Sequence, residues 1–231
     1  MSDNSRWRQA QSAEQRYWDQ VSMRGLEILR VLMNNQERAE RLTQLLPVSV
    51  GTSVEIGIGP LGIGVSAFLT QVKSRVGIEP LGPIQLLYGD ARLLAFVNSL
   101  RQGVCYVRAS GEHIPIRSQS ADLAICANVL DHVSDAGAVL GEIYRVLKPG
   151  GFLYLEVDTF SIAGLAKWYL WTSYRHRNEI LVEAHPYRFR ERTLTSLLSA
   201  QGFEVLRQFG HTRLGNLWGR SQPSSFFAVR A

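Results

Sequence analysis

The chain has no run of about 18 apolar residues, the length a helix needs to cross a bilayer. Its opening Met1-Ser2-Asp3-Asn4-Ser5-Arg6-Trp7 also lacks the apolar core of a secretory signal, so a soluble, cytoplasmic protein is expected. It has only two cysteines, Cys105 and Cys126. Both fall in apolar, strand-like runs without metal-ligand or redox spacing, which predicts buried reduced thiols and argues against a disulfide scaffold. Internal repeats and low-complexity segments are missing as well, so solenoid and disordered classes drop out. The formal charge of +5 and a pI near 9.5 are basic without being extreme. They permit an anionic partner without demanding one. At 231 residues the chain suits one α/β domain with extensions.

Against these absences stands one dense signal, Val54-Glu55-Ile56-Gly57-Ile58-Gly59-Pro60-Leu61-Gly62-Ile63-Gly64. An apolar strand running into glycines at this spacing predicts a strand-to-helix turn whose backbone approaches a nucleotide closely. The expected context is a strand over 53–56, a helix over 63–72, and an acid, Glu79, about 20 residues on. Glu79 closes the short apolar strand Arg75-Val76-Gly77-Ile78-Glu79, where a carboxylate can accept both hydroxyl protons of a ribose. No lysine opens the next helix, since Gly64-Val65-Ser66 stands where a triphosphate loop needs Gly-Lys-Ser/Thr. Pro60 removes a further amide donor. The pattern therefore indicates a nucleoside site rather than a phosphate site.

Upstream, residues from about Ser12 to Leu46 read as helix, with Val21, Ile28, Leu32, Leu42 and Leu45 on one stripe and Pro47 as the stop. Downstream, strands at 103–107, 121–127 and 151–157 alternate with helices at about 90–101 and 135–147. Such alternation predicts a parallel sheet with crossover helices on both faces. Residues 161–174 read as an aromatic helical segment, Arg190 to Gln201 as a helix, and 203–209 and 225–230 as closing strands.

Taken in order, four pieces resemble one family: the glycine loop from Glu55, the acid Glu79, the segment Ala109-Ser110-Gly111-Glu112-His113-Ile114-Pro115 leading into Ser120-Ala121-Asp122-Leu123-Ala124, and Asn128-Val129-Leu130-Asp131-His132-Val133 followed by Glu142 to Gly151. The chain resembles the class I S-adenosylmethionine-dependent methyltransferases, in particular the methyltransferase type 11 group. The resemblance spans roughly residues 50 to 160, with a weaker echo to the end. It implies a three-layer, Rossmann-like α/β fold with a seven-stranded sheet of order 3-2-1-4-5-7-6, strand 7 antiparallel. Here that fold would occupy 47–231, with an N-terminal helical extension over 1–46 and an aromatic, basic cap at about 160–190. It also implies S-adenosyl-L-methionine as cofactor. Carried onto this chain, Glu55, Gly57, Gly59 and Gly62 form the loop under the methionine moiety and Glu79 takes the ribose. Gly111 and Glu112 approach the adenine, and Asn128 faces the transferring methyl. Leu61 departs from the small residue usual in the loop, and Ser110 stands where an aspartate is common.

Two histidines are candidate catalytic groups. His132 follows strand 4 by a few residues, and histidine is the residue type most used for proton transfer near neutral pH, although capping the next helix or bracing the cofactor loop is the plainer role. His185, in His185-Pro186-Tyr187-Arg188-Phe189, occupies a loop expected over the site, where packing is the plainer alternative. Lys167-Trp168-Tyr169-Leu170-Trp171 suits either an acceptor wall or sheet-edge packing. The expected reaction is methyl transfer to an O or N nucleophile of a small molecule, with no metal required. A nucleic-acid substrate draws some support from the Arg-rich, aromatic last third, but the Asn/Asp-Pro-Pro-aromatic signature of base-amine enzymes is missing after strand 4. A non-catalytic cofactor-binding module is the third reading. A nicotinamide dehydrogenase would use the Tyr144-x-x-x-Lys148 pair, yet that lysine runs straight into Pro149-Gly150-Gly151.

Overall fold

The computed structural model describes residues 3–166, 170, 187–210 and 221–231, with the backbone alone for 3–7, 9 and 10. Its centre is a seven-stranded sheet of order β3-β2-β1-β4-β5-β7-β6. The strands are β1 (Val50–Ile56), β2 (Val72–Glu79), β3 (Cys105–Arg108), β4 (Ala121–Ala127), β5 (Leu147–Thr159), β6 (Phe203–Phe209) and β7 (Gln222–Arg230). β1 pairs in parallel with β2 and β4, while β7 runs antiparallel between β5 and β6. This is the expected order, with strand 7 reversed as expected.

Because successive side chains of a strand point to opposite faces, the long apolar runs of β1, β4 and β5 supply two cores at once. On one face Val54, Ile56, Ala124, Cys126, Leu153 and Leu155 pack against α4 (Ala136–Val146) and α5 (Glu191–Ala200). On the other, Leu123, Ile125, Tyr154 and Phe227 meet Ala39 and Leu42 of α2 (Gly25–Thr43) and Val65 and Leu69 of the chain after β1. A third cluster joins Val21 of α1 (Asp3–Ser22), Ile28 and Leu32 of α2, Val97 of α3 (Ala91–Gln102), and Leu61 and Ile63 of the glycine loop. Helices thus cover both faces, and the loop is part of the hydrophobic core.

The structure corrects three local expectations. No α-helix follows the glycine loop; a single 3-10 turn, Val65–Phe68, takes its place, and β2 starts at Val72. Left-handed backbone at Gly57, Gly59 and Gly62 uses up the first part of this connection, leaving too few residues for a stable α-helix before β2. Arg75 of β2 then satisfies the turn's open carbonyls, donating Nε to Ser66 O at 2.7 Å and Nη2 to Leu69 O at 2.6 Å. The N-terminal helix is two helices, broken at Met23 and Arg24, where the Ser22 hydroxyl turns back to Asp19 O at 2.6 Å. Finally, Cys105 is exposed rather than buried, because β3 is an edge strand; Cys126, on central β4, is fully buried.

With no crossover helix between β1 and β2, α2 covers that part of the sheet. Leu42, fully buried, is its central contact. Leu42→Ala is expected to reduce the free energy of unfolding by about 2–5 kcal/mol, measured by urea denaturation. A loss within ~0.5 kcal/mol would mean that α2 merely rests on the surface.

Candidate functional site

A cleft of about 500 Å³ opens at the carboxyl ends of β1, β2 and β4, where the connections leave β1 and β4 toward opposite sides of the sheet. Ligands of open α/β sheets gather at such switch points. The glycine loop makes its floor. Gly57 and Gly59 have φ of +68° and +76°, a region that any side chain would strain. Both are also crowded: a Cβ on Gly57 would run into the Val129 side chain, and one on Gly59 would lie 2.9 Å from the Trp18 ring. The Gly57 amide donates to Ile78 O at 2.8 Å, tying the loop to the end of β2.

Beneath this floor the buried Glu55 carboxylate accepts the Val65 amide at 2.7 Å, the Ser66 amide at 2.9 Å and the Ser66 hydroxyl at 2.6 Å. Burial pushes its carboxyl above the usual range while these donors pull it back. Glu55 and Gly62 lie behind the cleft surface, and both shape the loop from below. Gly62 closes the turn that begins at Gly59, its amide donating to Gly59 O at 2.9 Å. Leu61, at the position usually held by a small residue, is fully buried against the α1 and α2 cluster.

Glu79 ends β2 and borders the cleft. Its Oε2 accepts the Gly59 amide at 2.9 Å and its Oε1 the Leu81 amide at 3.0 Å. Burial, reinforced by the nearby negative charge of Glu14, pushes this carboxyl up to about 7 despite the two amides. Ser110, Gly111 and Glu112 continue the wall past β3. The Glu112 carboxylate is committed to the chain before α4, accepting the Ser134 amide at 2.9 Å and the Ser134 hydroxyl at 2.7 Å. Although burial opposes ionisation, these bonds hold its carboxyl below the usual range.

Asn128 stands at the end of β4 with φ of +60°, a conformation that asparagine tolerates, and donates its amide to Glu156 O at 2.7 Å. His132 borders the same space, with Nδ1 3.4 Å from Glu14 Oε1 and Nε2 3.8 Å from Asp131 Oδ1. The structure thus gathers Gly57, Gly59, Glu79, Gly111, Glu112, Asn128 and His132 around one cleft. His185, the basic run Arg175-His176-Arg177 and the aromatic residues Trp168, Tyr169 and Trp171 lie outside the described residues.

The sequence reading missed the roof. Glu14, Tyr17 and Trp18 of α1 and Asn34, Asn35 and Arg38 of α2 all line the cleft. One local signal was available: the buried stripe of α2 runs through positions 28, 32, 39 and 42, and Asn35 occupies the step between 32 and 39. A polar residue there needs a partner, and its Nδ2 donates to Ile63 O at 3.0 Å. The Tyr144 and Lys148 pair lies away from the cleft. The Tyr144 ring meets Phe203 edge to face at 5.4 Å, and Lys148 Nζ holds Asp122 at 2.6 Å.

The sheet order with its reversed β7 is that of a Rossmann-like fold shared with solved methyltransferases. Residues 55–155 match the model of the methyltransferase domain family. An uncharacterised methyltransferase of Mycobacterium sp. (strain JLS) is 34% identical over 105 residues, 46% of this chain and 38% of that protein. One from Mycobacterium bovis (strain BCG / Pasteur 1173P2) is 35% identical over the same length and shares. The matched segment therefore spans less than two fifths of these relatives. Among solved structures, an S-adenosylmethionine-dependent methyltransferase of Thermotoga maritima, described as a possible histamine N-methyltransferase, superposes with a TM-score of 0.56 at 20% identity. That match covers 94% of this chain and 95% of the other. The [4+2]-cyclase SpnF superposes at 0.60 with 17% identity, covering 84% and 80%. Likeness at this level establishes the fold, and the cyclase shows why the reaction has to be argued from the site.

The Glu79 carboxyl yields a stability test that needs no ligand. Its folded pKa lies above its unfolded value, so between about pH 4.5 and 7 the folded chain keeps a proton that the unfolded chain has lost. Stability from this group therefore falls as pH rises through that window. Glu79→Gln is expected to melt progressively higher than the parent from pH 4.5 to 7, with a constant gap above that. A gap independent of pH would place the titration elsewhere.

Proposed function

We propose that the chain binds S-adenosylmethionine in this cleft and transfers its methyl group to an O or N nucleophile of a small-molecule acceptor. The observation that carries the reading is Glu79: a buried carboxyl at the end of β2, 2.9 Å from the Gly59 amide, beside a loop too tight for side chains. A nucleoside with a free ribose suits that arrangement, because its two hydroxyls donate where the carboxylate accepts. The shallow glycine floor leaves room for a thin, flexible tail and provides no cradle for phosphates. Bound there, the cofactor would supply an electrophilic methyl on a sulfonium.

The chain's own contribution is then placement. Gly57 and Gly59 admit the tail, Ser110 and Gly111 border the base, and Glu112 braces the adjoining turn. Asn128 marks the end of the cleft beyond β4, where an acceptor meets the donor. Alignment of this kind supplies most of the rate in such a displacement. His132 is the candidate base for an acceptor that holds its proton, with Glu14 beside Nδ1 to orient the ring. His185 keeps its place as a candidate substrate contact on sequence grounds.

Calorimetric titration with S-adenosylhomocysteine tests the reading, with NAD as the contrast. Glu79→Ala and Gly57→Val are each expected to abolish nucleoside binding; unchanged affinity in both would move the site. Because the ionised Glu79 accepts the ribose protons, affinity is expected to fall about tenfold per pH unit below about pH 7. Glu79→Gln should remove that slope. Once an acceptor is known, His132→Ala is expected to lower kcat by about 10²–10⁴ while cofactor affinity holds, and unaltered turnover would remove His132 as base.

A further inference from the structure

We infer that Arg38 of α2, held by Glu156 and Asn35, is the residue that recognises the α-carboxylate at the amino-acid end of the donor, so that the helices preceding the methyltransferase domain complete its cofactor site. The inference rests on the donor reading above and adds a residue and a chemical selectivity to it.

The cleft is electrically lopsided. Glu79 and Glu112 border it beyond β2 and β3, with Glu14 reaching in from α1, whereas the side under α2 carries Arg38 with Asn34 and Asn35. This second side adjoins β4 and β5, since Glu156 of β5 holds Arg38 through its side chain and accepts the Asn128 amide through its carbonyl. A donor whose ribose sits at Glu79 extends its tail away from that acid. The tail ends in a carboxylate, and a carboxylate leaving water needs charged or closely directed donors. Among the cleft residues Arg38 is the arginine, and its side chain is 20% exposed.

Arg38 is also held ready. Its Nε donates to Glu156 Oε1 at 2.6 Å and its Nη1 to Asn35 Oδ1 at 3.3 Å. Asn35 is in turn pinned to the glycine loop through Ile63 O. Glu156 is saturated on its other oxygen, which accepts from Tyr154 Oη at 2.7 Å, Ser225 Oγ at 2.9 Å and Arg41 Nη2 at 3.3 Å. Guanidinium carries five N–H donors, and those of Arg38 beyond the two bonds given have no acceptor among the described residues. A planar guanidinium held at Nε and Nη1, with its Nη2 donors open, is suited to a second carboxylate. An arginine wanted only for docking α2 would be equally well served by Arg41, which reaches the same Glu156 from the exposed side.

Two ligands separate the tail from the nucleoside: S-adenosylhomocysteine has the amino-acid end, and methylthioadenosine lacks it. Calorimetry on the whole chain is expected to show Arg38→Lys losing at least tenfold in affinity for S-adenosylhomocysteine, with methylthioadenosine affinity unchanged. Since removing a buried ion partner can unfold a protein, the paired variant Arg38→Met with Glu156→Gln provides a second, charge-neutral test with the same expected split, its folding checked by thermal melting. Equal losses for both ligands in folded variants, or no loss for either, would overturn the assignment. Glu79→Ala, by contrast, should lose both ligands together. If the parent chain binds neither ligand, the donor reading itself fails, a result distinct from Arg38 failing to discriminate.

Discussion

Three donors converge on the buried Glu55 carboxylate, the amides of Val65 and Ser66 and the Ser66 hydroxyl, and the shape of the site follows from this knot. By drawing residues 65 and 66 back beneath the end of β1, it forces the eight residues between into a closed excursion. That excursion is possible only with left-handed backbone at Gly57, Gly59 and Gly62. The loop then presents the Gly59 amide to Glu79, so one buried carboxylate shapes the floor and a second, at the next strand, borders the cleft. Both carboxyls are pushed upward by burial, but their surroundings differ. Glu55 spends its acceptor capacity on the loop, whereas Glu79 is met by two amides and keeps further lone pairs beside the cleft.

The same knot removes a helix. With no α-helix between β1 and β2, the sheet face over Leu123 and Ile125 would lie bare, and α2 fills it with Ala39 and Leu42. The fastening is polar as well as apolar: Arg38 and Arg41 reach Glu156 from a helix more than a hundred residues away in sequence. Buried ion pairs add little net stability, because desolvation offsets attraction. Their geometry is specific, however, and it fixes the rotation of α2 about its axis, which decides that Asn34, Asn35 and Arg38 look into the cleft. The Leu61 side chain belongs to the same account. A small residue there would leave a void between the loop and α1, so the departure from the usual loop pattern is the mark of the helix pair docked above it.

This explains which parts of the protein were legible in the sequence. The strands themselves, Glu79 and the wall from Ser110 to Glu112 rest on local signals: continuous apolar runs, a glycine spacing, an acid at a strand end. Each is encoded within about ten residues of itself, and together they resemble a family pattern, which in turn implied the strand order and the reversed β7. The connection after β1 was misread because Ile63, Val65, Phe68 and Leu69 have the apolar density of an amphipathic helix. Their burial is in fact set by contacts with α2, and their carbonyls are satisfied by Arg75 rather than by a continuing helix. The roof of the cleft was invisible for a similar reason. Nothing near Arg38 in sequence indicates that Glu156 awaits it, and a stripe of Ile28, Leu32 and Leu42 promises burial without saying against what.

The position of the helix pair also bears on how far fold similarity reaches into function. The segment matched by the family model, residues 55–155, contains the floor and the wall that Glu79 begins, whereas among the described residues the roof comes from before it. A cleft with a shared floor and a private roof can hold one cofactor across a family and still differ in what reaches the methyl. Here the roof brings Glu14 to His132 and sets Trp18 over Gly59, so the ring that would take an acceptor's proton and the ring that shelters the loop both depend on α1. The shape of the cleft beside Asn128 and His132 therefore depends on residues 11–38 as well as on the strand ends. The match over residues 55–155 leaves these roof residues out, so likeness in that segment describes only part of the cleft.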